Sequence, residues 1–492
     1  MHKKPPYGMI AILFIGAFIS IFNNTLINIA LPSIMTEFDI KSTTVQWLAT
    51  GYMLVNGILI PASAFFIQRF ENRKIFIAAM SLFVLGTILA ATAPAFSFLL
   101  AGRMTQAAGS AIMMPLLMNV MLTAFPIEKR GTAMGVFGMV MIVAPAIGPT
   151  LSGYIIEHYE WRMLFYFVLP LAVIPLVLGI FKLKNITPQN KIKLDFLSLL
   201  LSSIAFGCIL FGFSSAGDPE IGWGSPKVYL TLIIGTISLI IFIFRQFKLD
   251  EPLLEFSIYK YPMFALSSII SIVIAISMFS GMILTPIYVQ TIRGISPMDA
   301  GLLMLPGAIV MGIMSPITGR LFDKYGPKAL SLLGLGIAVV TTYYFSKLTI
   351  DSGYFYLMML YTLRMFGFSM ISMPIMTNGM NELPMEMNPH GTAINNTLQQ
   401  VSGAIGTALL VSVMNARTES RAAELIADAT EKAAQTGAQP SADAMAELEK
   451  TITNTAMLDG ITHAFFVSTL IAILAFILAL FIKRVTPKTV KI

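Results

Sequence analysis

Charged residues are scarce in this chain of 492 residues. They make up 12% of it, whereas hydrophobic residues make up 56%. Soluble globular proteins carry about 25% charged residues, so the composition excludes that class. The apolar residues recur in long runs along the whole chain, which predicts an all-α polytopic membrane protein.

The chain also lacks the residues of most catalytic and metal sites. Its one cysteine, Cys208, lies within an apolar run and excludes both a disulfide framework and a cysteine metal site. The four histidines form no ligand spacing, and they are His2, His158, His390 and His463. No phosphate-binding P-loop is present, which argues against an ATP-driven pump. We therefore expect no enzyme, no metal and no cofactor.

The apolar runs predict fourteen membrane-spanning helices. The first run continues to Ala30 without a convincing small-residue cleavage site, so it predicts a spanning helix rather than a signal peptide. The predicted spans are 8–30, 44–66, 75–93, 98–123, 131–156, 163–181, 195–214, 227–244, 263–289, 298–318, 328–346, 353–377, 391–415 and 462–482.

Lysine and arginine are distributed unequally between the two sides of these spans. With the N-terminus placed inside, 21 of them lie in the inner segments and five in the short outer connections. Positive residues concentrate on the cytoplasmic side of membrane proteins. The pattern predicts a plasma-membrane protein with both termini cytoplasmic, and it explains the net charge of +7 without nucleic acid.

Two features of the chain repeat at almost the same offset. Arg103 in span four is followed 261 residues later by Arg364 in span twelve, and Arg130-Gly-Thr-Ala is followed 260 residues later by His390-Gly-Thr-Ala. Such spacing predicts duplicated halves, with spans seven and eight inserted between them. We expect a six-helix bundle at 1–181, an inserted pair at 182–262, a second bundle at 263–492, and a binding cavity between the bundles.

The stretch from Gly131 to Gly153 carries no charge but is rich in glycine and proline. Its composition would destabilise an isolated soluble helix, whereas in a membrane small residues allow two helices to approach closely. We predict a bent span five packed closely against a partner helix.

The longest polar segment, 416–461, connects the last two spans. It is rich in Ala, Glu and Lys and is interrupted at Gly437–Pro440, which predicts two short amphipathic helices in an extracellular hairpin. A solvated, poorly ordered loop is the alternative interpretation, and a lid over the outer mouth of the cavity is the functional one.

Arg103 and Arg364 are the two formal charges well inside spans. A charge inside a membrane is expensive and usually functional, so we expect proton coupling or substrate orientation there, with structural hydrogen bonding as the alternative. Every acidic residue falls in a connection or at a span end. The acidic candidates for coupling are Asp323, Asp299 and Glu157, each of which also has a structural interpretation.

Several motifs in this order resemble the fourteen-span drug:proton antiporter family of the major facilitator superfamily, in its EmrB and lincomycin-resistance-like branch. Gly319–Lys328 is similar to the cytoplasmic GxLaDrxGrk motif, and Arg103 with Gln106 and Gly109 to the span-four motif. Span five resembles the antiporter motif through Gly135, Gly148, Pro149 and Gly153. The residues 24–32, Gln46 and Trp47 resemble the first two spans of the family, and Trp161, Arg162 and Trp223 lie where its lincomycin-resistance-like branch carries similar residues.

The resemblance implies a proton-driven multidrug exporter on the major facilitator fold, which alternates access by rocking two six-helix bundles. Relatives often carry Asp or Glu in span one, where this chain has Asn23 and Asn24. The partners expected for this protein are small amphipathic substrates, protons and the lipid bilayer. We expect the protein to act as a monomer.

The cavity should be lined by polar, aromatic and methionine side chains, and the 33 methionines suit a site that repacks around varied ligands. The predicted lining is Asn23, Asn24, Asn28, Gln46 and Tyr52 from the first half and Tyr288, Gln290, Asn395, Asn396, Gln399 and Gln400 from the second. Two alternatives stay open: an exporter of a lipid, fatty acid or metabolite, and a sensor or scaffold that transports nothing.

Overall fold

The structure is a computed structural model that describes residues 6–40, 42–45, 47–186, 189, 192–216, 221–436 and 442–485. Within these ranges all regular secondary structure is helical. Each predicted span coincides with a helix of the structure, and we number these helices in chain order.

The described part of the first bundle contains six long helices, which are α1 (Tyr7–Phe38), α2 (Trp47–Arg69), α3 (Asn72–Ala91), α4 (Phe96–Ala124), α5 (Arg130–His158) and α6 (Met163–Lys182). The inserted pair is α7 (Phe196–Ala216) and α8 (Pro226–Gln246). The second bundle contains α9 (Pro262–Ile287), α10 (Pro297–Tyr325), α11 (Pro327–Phe345), α12 (Tyr354–Ser369 and Ser372–Glu382), α13 (Asn388–Thr436) and α14 (Ala442–Ala479).

Thirteen of the described helical segments are long and apolar enough to cross a membrane. The helix Arg130–His158, with 29 residues, lies at the remaining predicted span. Many of these helices expose large apolar side chains on their outer faces, such as Phe181, Phe196 and Phe244. A surface of that kind is stable in lipid and costly in water.

The connection 416–461 differs from the predicted pair of separate short helices. Here α13 runs without a break for 49 residues to Thr436, and α14 begins at Ala442, so the connection is formed by extensions of both spanning helices. The physical reason is that 416–436 is rich in Ala and Glu and contains no Gly or Pro that would end α13. An ion pair of 2.7 Å between Arg417 Nε and Asp459 Oδ2 ties the two extensions together. The predicted break at 437–440 lies outside the described residues.

The helices pack in the same pattern in both bundles. In the first bundle α3 contacts α4 and α6, and α1 contacts α5 and α6. In the second, α11 contacts α12 and α14, and α9 contacts α13 and α14. The helix order that creates these contacts is thus repeated eight helices later. The domain boundaries derived from the sequence stay a prediction.

The inserted pair packs on the seam between the bundles, because α7 contacts both α2 and α13. Trp223 Nε1, in the connection between α7 and α8, donates a 2.5 Å hydrogen bond to Ser412 Oγ of α13. At the other end of the pair, Arg245 of α8 forms a two-bond ion pair with Asp195, at 2.7 and 3.0 Å. The pair is therefore anchored at both of its ends.

We call the end of the molecule where α1 begins and α14 ends the basal end, and the opposite end the apical end. At the apical end, Glu37 accepts hydrogen bonds from Trp161 Nε1 and Arg162, each at 2.6 Å, which joins α1 to the start of α6. The tryptophan and arginine that carried part of the resemblance thus have a structural role here.

Candidate functional site

A narrow, partly open cavity lies between the two bundles. From the first bundle α4 and α5 contribute to it, and from the second α9, α12 and α13. No charged side chain occurs among its lining residues, which are Met118, Phe137, Met141, Ser271, Ile272, Ile274, Ala275, Met278, Phe279, Ser372, Met373, Met376, Asn395, Asn396, Leu398 and Gln399. The surface is thus mainly apolar and adaptable, with amide groups on one side that can form hydrogen bonds.

Below the cavity, α5 and α10 close the basal end through what we call the first basal contact. Asp323 of α10 accepts hydrogen bonds from the backbone N–H groups of Gly131 and Thr132, both at 2.9 Å, and from the Thr132 hydroxyl at 2.6 Å. These N–H groups are at the start of α5, where a helix has unpaired donors and a positive dipole end. The carboxylate of one bundle therefore caps a helix of the other.

The helices of this contact approach too closely for larger side chains. A methyl group on Gly131 would overlap the Phe322 and Asp323 side chains and lie 2.6 Å from the Gly319 carbonyl oxygen. One turn further along α5, a methyl group on Gly135 would lie 2.5 Å from the Ser315 carbonyl oxygen. The Ser315 hydroxyl also donates to the Gly135 carbonyl at 2.7 Å. Small residues in span five thus permit contact between the bundles.

The other glycines of the predicted antiporter motif have different surroundings. Gly148 faces Thr25 of α1, inside the first bundle, and a methyl group added at Gly153 would meet no atom within 4 Å. The side chain of Pro149 lies outside the described part of the chain. The basal half of α5 therefore packs on α10, and its apical half on α1.

A second basal contact joins α2, the connection before α9 and the start of α13. His390 of α13 is only 8% exposed. Its Nδ1 accepts a 3.2 Å hydrogen bond from the backbone N–H of Glu255, and its Nε2 lies 3.0 Å from the Gln68 amide nitrogen. Between the two contacts, Arg130 donates to Asn381 at 3.3 Å.

Arg103 is completely buried within the first bundle. It donates to the side-chain oxygens of Gln106 at 3.0 Å and Asn24 at 3.1 Å, and its guanidinium lies 4.4 Å from the centre of the Tyr52 ring. Asn23 donates to the same Gln106 oxygen at 3.1 Å. Buried charge requires such compensation, and here amides and an aromatic ring provide it in place of a carboxylate.

Arg364 is equally buried in the second bundle but has other partners. It donates to the Ser277 carbonyl at 2.7 Å and to the Thr342 hydroxyl at 3.2 Å, and it lies 5.1 Å from the centre of the Phe368 ring. A methyl group on Gly281 would overlap its guanidinium. The guanidinium thus fills the space that this glycine leaves and holds α9, α11 and α12 together.

The structure assembles part of the predicted cavity lining and places the rest elsewhere. Asn395, Asn396 and Gln399 do line the cavity, with Gln400 next to them on α13. Asn23, Asn24 and Tyr52 are absent from its described lining because they surround Arg103, which needs their polar groups and ring. The polar residues of span one therefore serve a buried charge.

Two predicted lining residues lie at the apical end of the second bundle. Tyr288 is fully buried and donates to the Thr349 carbonyl at 2.6 Å, within its own bundle. Gln290 is exposed in the π-helical segment Tyr288–Ile292, where the wider turn rotates side chains away from the register of α9. Gln46 and the side chain of Asn28 lie outside the described residues.

The three acidic candidates for coupling occupy different environments. Asp323 forms the first basal contact. Asp299 is exposed at the start of α10, where it accepts from the Ser296 hydroxyl at 2.8 Å as part of a helix cap. Glu157 is exposed near the apical end of α5. Asp323 is the one of the three that bonds across the bundles; the coupling roles themselves stay predictions.

Sequence reasoning expected methionine and aromatic side chains in the cavity but did not name the apolar ones that line it, and it missed the position of His390. Met118, Phe137, Phe279 and Met373 line the cavity, but a methionine or phenylalanine in a span carries no signal that separates a cavity face from a packed one. His390 did carry a signal, because it stands where the first half has Arg130 in the repeated Gly-Thr-Ala segment.

These features define a transporter: two repeated helix bundles in a membrane, an uncharged cavity between them and a closure at one end. A family model described as Major Facilitator Superfamily matches residues 13–407. The chain belongs to that family, and it is a multi-pass membrane transporter and not an enzyme.

Relatives and a solved structure agree with this assignment. The chain is 50% identical to "Uncharacterized MFS-type transporter YhcA" of Bacillus subtilis over 85% of this chain and 78% of that one. It is 44% identical to "Lincomycin resistance protein LmrB" of Bacillus subtilis over 97% of this chain and 95% of that one. The crystal structure of the human organic anion transporter MFSD10 has the same fold, with a TM-score of 0.65 and 13% identity over 97% of this chain and 100% of that one.

Proposed function

We propose that this protein is a proton-driven exporter of bulky, amphipathic organic compounds, including antibiotics, in a bacterial plasma membrane. The observation that carries the proposal is the cavity, whose methionine and phenylalanine side chains face the amides of Asn395, Asn396 and Gln399. Such a surface binds apolar bodies of different shapes and orients them through one polar group. The similarity over nearly the whole chain to a protein named for lincomycin resistance supports the same substrate class.

The proposed direction of transport depends on the orientation in the membrane. The excess of Lys and Arg in the connections at the basal end favours a cytoplasmic basal end. The closed basal contacts then belong to the conformer that releases substrate outward. Rupture of those contacts and closure of the apical end would produce the conformer that loads substrate from the cytoplasm.

The partners we propose are the exported molecule, protons and the surrounding lipid. We also propose that the protein acts as a monomer.

Efflux from proteoliposomes under an imposed pH gradient tests the proposal, with lincomycin and an uncharged dye as probes. We expect gradient-dependent movement that collapses with a protonophore. Replacing Asn395 with Leu should lower drug movement at least tenfold, because the amide that orients the substrate is lost. Met298→Ala, at an exposed apical position, is the matched control and should leave efflux unchanged. Gradient-independent movement of every probe would overturn the proposal.

A second candidate is an exporter of a lipid, fatty acid or other metabolite. The absence of a carboxylate from the described cavity lining fits neutral or anionic cargo better than cationic dyes. The same proteoliposomes loaded with labelled fatty acid or phospholipid distinguish the two, since gradient-driven movement of lipid without drug would favour this candidate. Removal of 416–461 tests whether the extensions of α13 and α14 guide a long substrate or bind a partner.

A further inference from the structure

His390 is the buried titratable group of the second basal contact, and its two ring nitrogens face different parts of the molecule. Nδ1 accepts from the backbone N–H of Glu255, so in this conformer it carries no proton. The ring proton of the neutral imidazole is then on Nε2, beside the Gln68 amide. That amide nitrogen also donates to the Ala64 carbonyl at 3.2 Å. A half turn of the amide gives up this bond and presents the amide oxygen to the Nε2 proton. The closed contact therefore requires the neutral form of the histidine.

Protonation would turn an attraction of this contact into a repulsion. With a proton on Nδ1, two donors would face each other across the 3.2 Å between that nitrogen and the Glu255 backbone nitrogen. The buried imidazolium would also lose the water that stabilises its charge. Binding of a proton must therefore weaken the contact between α13 and its neighbours.

The charged groups around His390 leave this conclusion in place. Glu255 has the nearest carboxylate, and its Oε1 accepts from the Ser257 backbone N–H at 3.1 Å. Glu382 at the end of α12 accepts from the Met263 and Phe264 backbone, at 2.7 and 3.0 Å. Arg69 at the end of α2 is exposed. The Glu255 carboxylate and the Leu253 backbone attract a protonated ring in its present position, but the burial of the ring outweighs both attractions.

Asn395, which lines the cavity, lies five residues further along α13, a rise of about 7.5 Å from His390. Coupling to proton entry requires that a proton from the apical side reach the histidine while the basal contacts are closed.

We propose that His390 is the proton-binding residue that couples protonation to opening of the basal end. This inference deepens the proposed function, because it supplies a coupling group to a chain without a carboxylate deep in its spans. Proton uptake from outside breaks the second basal contact, the basal end opens to the cytoplasm, and release of the proton there allows the contact to form again. The order matches export driven by proton entry.

The test measures opening directly, without drug or gradient. Spin labels are attached to cysteines that replace Phe70 and Met385, two exposed residues on either side of the second basal contact, in a full-length Cys208→Ser background reconstituted in nanodiscs. We expect the fraction with a longer label distance to rise at least fivefold as the pH falls from 8 to 5, because opening exposes the ring to water, where a histidine takes up a proton near about pH 6.5. In His390→Gln this rise should be absent, whereas in the control His463→Gln it should persist.

A second variant keeps the histidine in place. In Gln68→Glu, a carboxylate beside Nε2 stabilises the protonated ring within the closed contact, so the acid-induced opening should be reduced at least threefold. Opening like that of the parent protein in either His390→Gln or Gln68→Glu would overturn the inference. Because the label distances need no substrate, acid-induced opening that depends on His390 would stand even if gradient-driven efflux failed.

Discussion

The two basal contacts are products of the same repeat and yet differ in chemistry. At the first, the carboxylate of Asp323 caps the N-terminus of α5. At the second, the corresponding N-terminus of α13 carries His390, which faces the neutral side chain of Gln68. The attraction between a carboxylate and a helix N-terminus persists at neutral pH, whereas a neutral histidine can take up a proton and become charged. The first contact should therefore keep the basal end closed, and the second, we infer, should open on protonation.

The largest expected effect comes from adding one methyl group at the equivalent glycines of the repeat. Gly131→Ala places a methyl group 2.6 Å from a backbone oxygen, so the helices must separate, at a cost of about 2–3 kcal/mol to the closed state. In Gly391→Ala the methyl group meets only the flexible ends of Leu383 and Met380, which can move. Label distances between cysteines at Glu128 and Tyr325 should show the basal end open in the first variant and closed in the second.

Equal label distances in these two alanine variants would contradict the comparison. Efflux provides an independent readout, and it should fall at least tenfold in Gly131→Ala but less than twofold in Gly391→Ala.

An intermediate effect is expected from removal of the polar partners themselves. Asp323→Ala leaves two backbone N–H groups at the start of α5 without their acceptor and should weaken the closed state by about 2 kcal/mol. Gln68→Ala removes one neutral partner and should cost under about 1 kcal/mol. The closed fraction at pH 8, measured with the same labels, should therefore decrease far more in Asp323→Ala than in Gln68→Ala. A larger decrease in Gln68→Ala would show that the second basal contact contributes more to the closed state than the first.

The smallest effect is expected at Ser315. Its hydroxyl donates to a carbonyl of α5 at 2.7 Å, and Ser315→Ala should weaken the closed state by about 0.5 kcal/mol. Ser346→Ala removes an exposed hydroxyl that bonds within its own helix end, and it serves as the control with no expected change. A shift in Ser315→Ala as large as that in Asp323→Ala would show that packing of α5 on α10 matters more than the charge.

Much of the fold follows from the sequence because lipid imposes simple rules. A run of about 20 apolar residues must form a helix to satisfy its backbone, and each of the fourteen predicted runs does so. The repeated Arg103 and Arg364 also indicated the duplication, which the packing of the helices shows independently. The extension of α13 to Thr436 was missed, since a polar helix beyond the bilayer lacks an apolar signal for its boundary.

The candidate site was less accessible to sequence reasoning. Asn23 and Asn395 look alike as polar residues in apolar spans, but the first bonds to Gln106 beside Arg103 and the second lines the cavity. The surroundings of each asparagine, a buried charge or an open cavity, are formed by helices that are distant from it in the chain.

The sequence alone thus determined the helices, their number, the duplication and the family resemblance, because hydropathy, motif order and charge asymmetry are properties of segments. Only the tertiary structure decided that Gly131 and Gly319 touch, that Asn24 serves Arg103, and that His390 lies between Gln68 and Glu255. Contacts between bundles join residues up to about 320 positions apart, as Gln68 and His390 are. No local pattern encodes such a pairing, since the packing of whole helices brings the two side chains together.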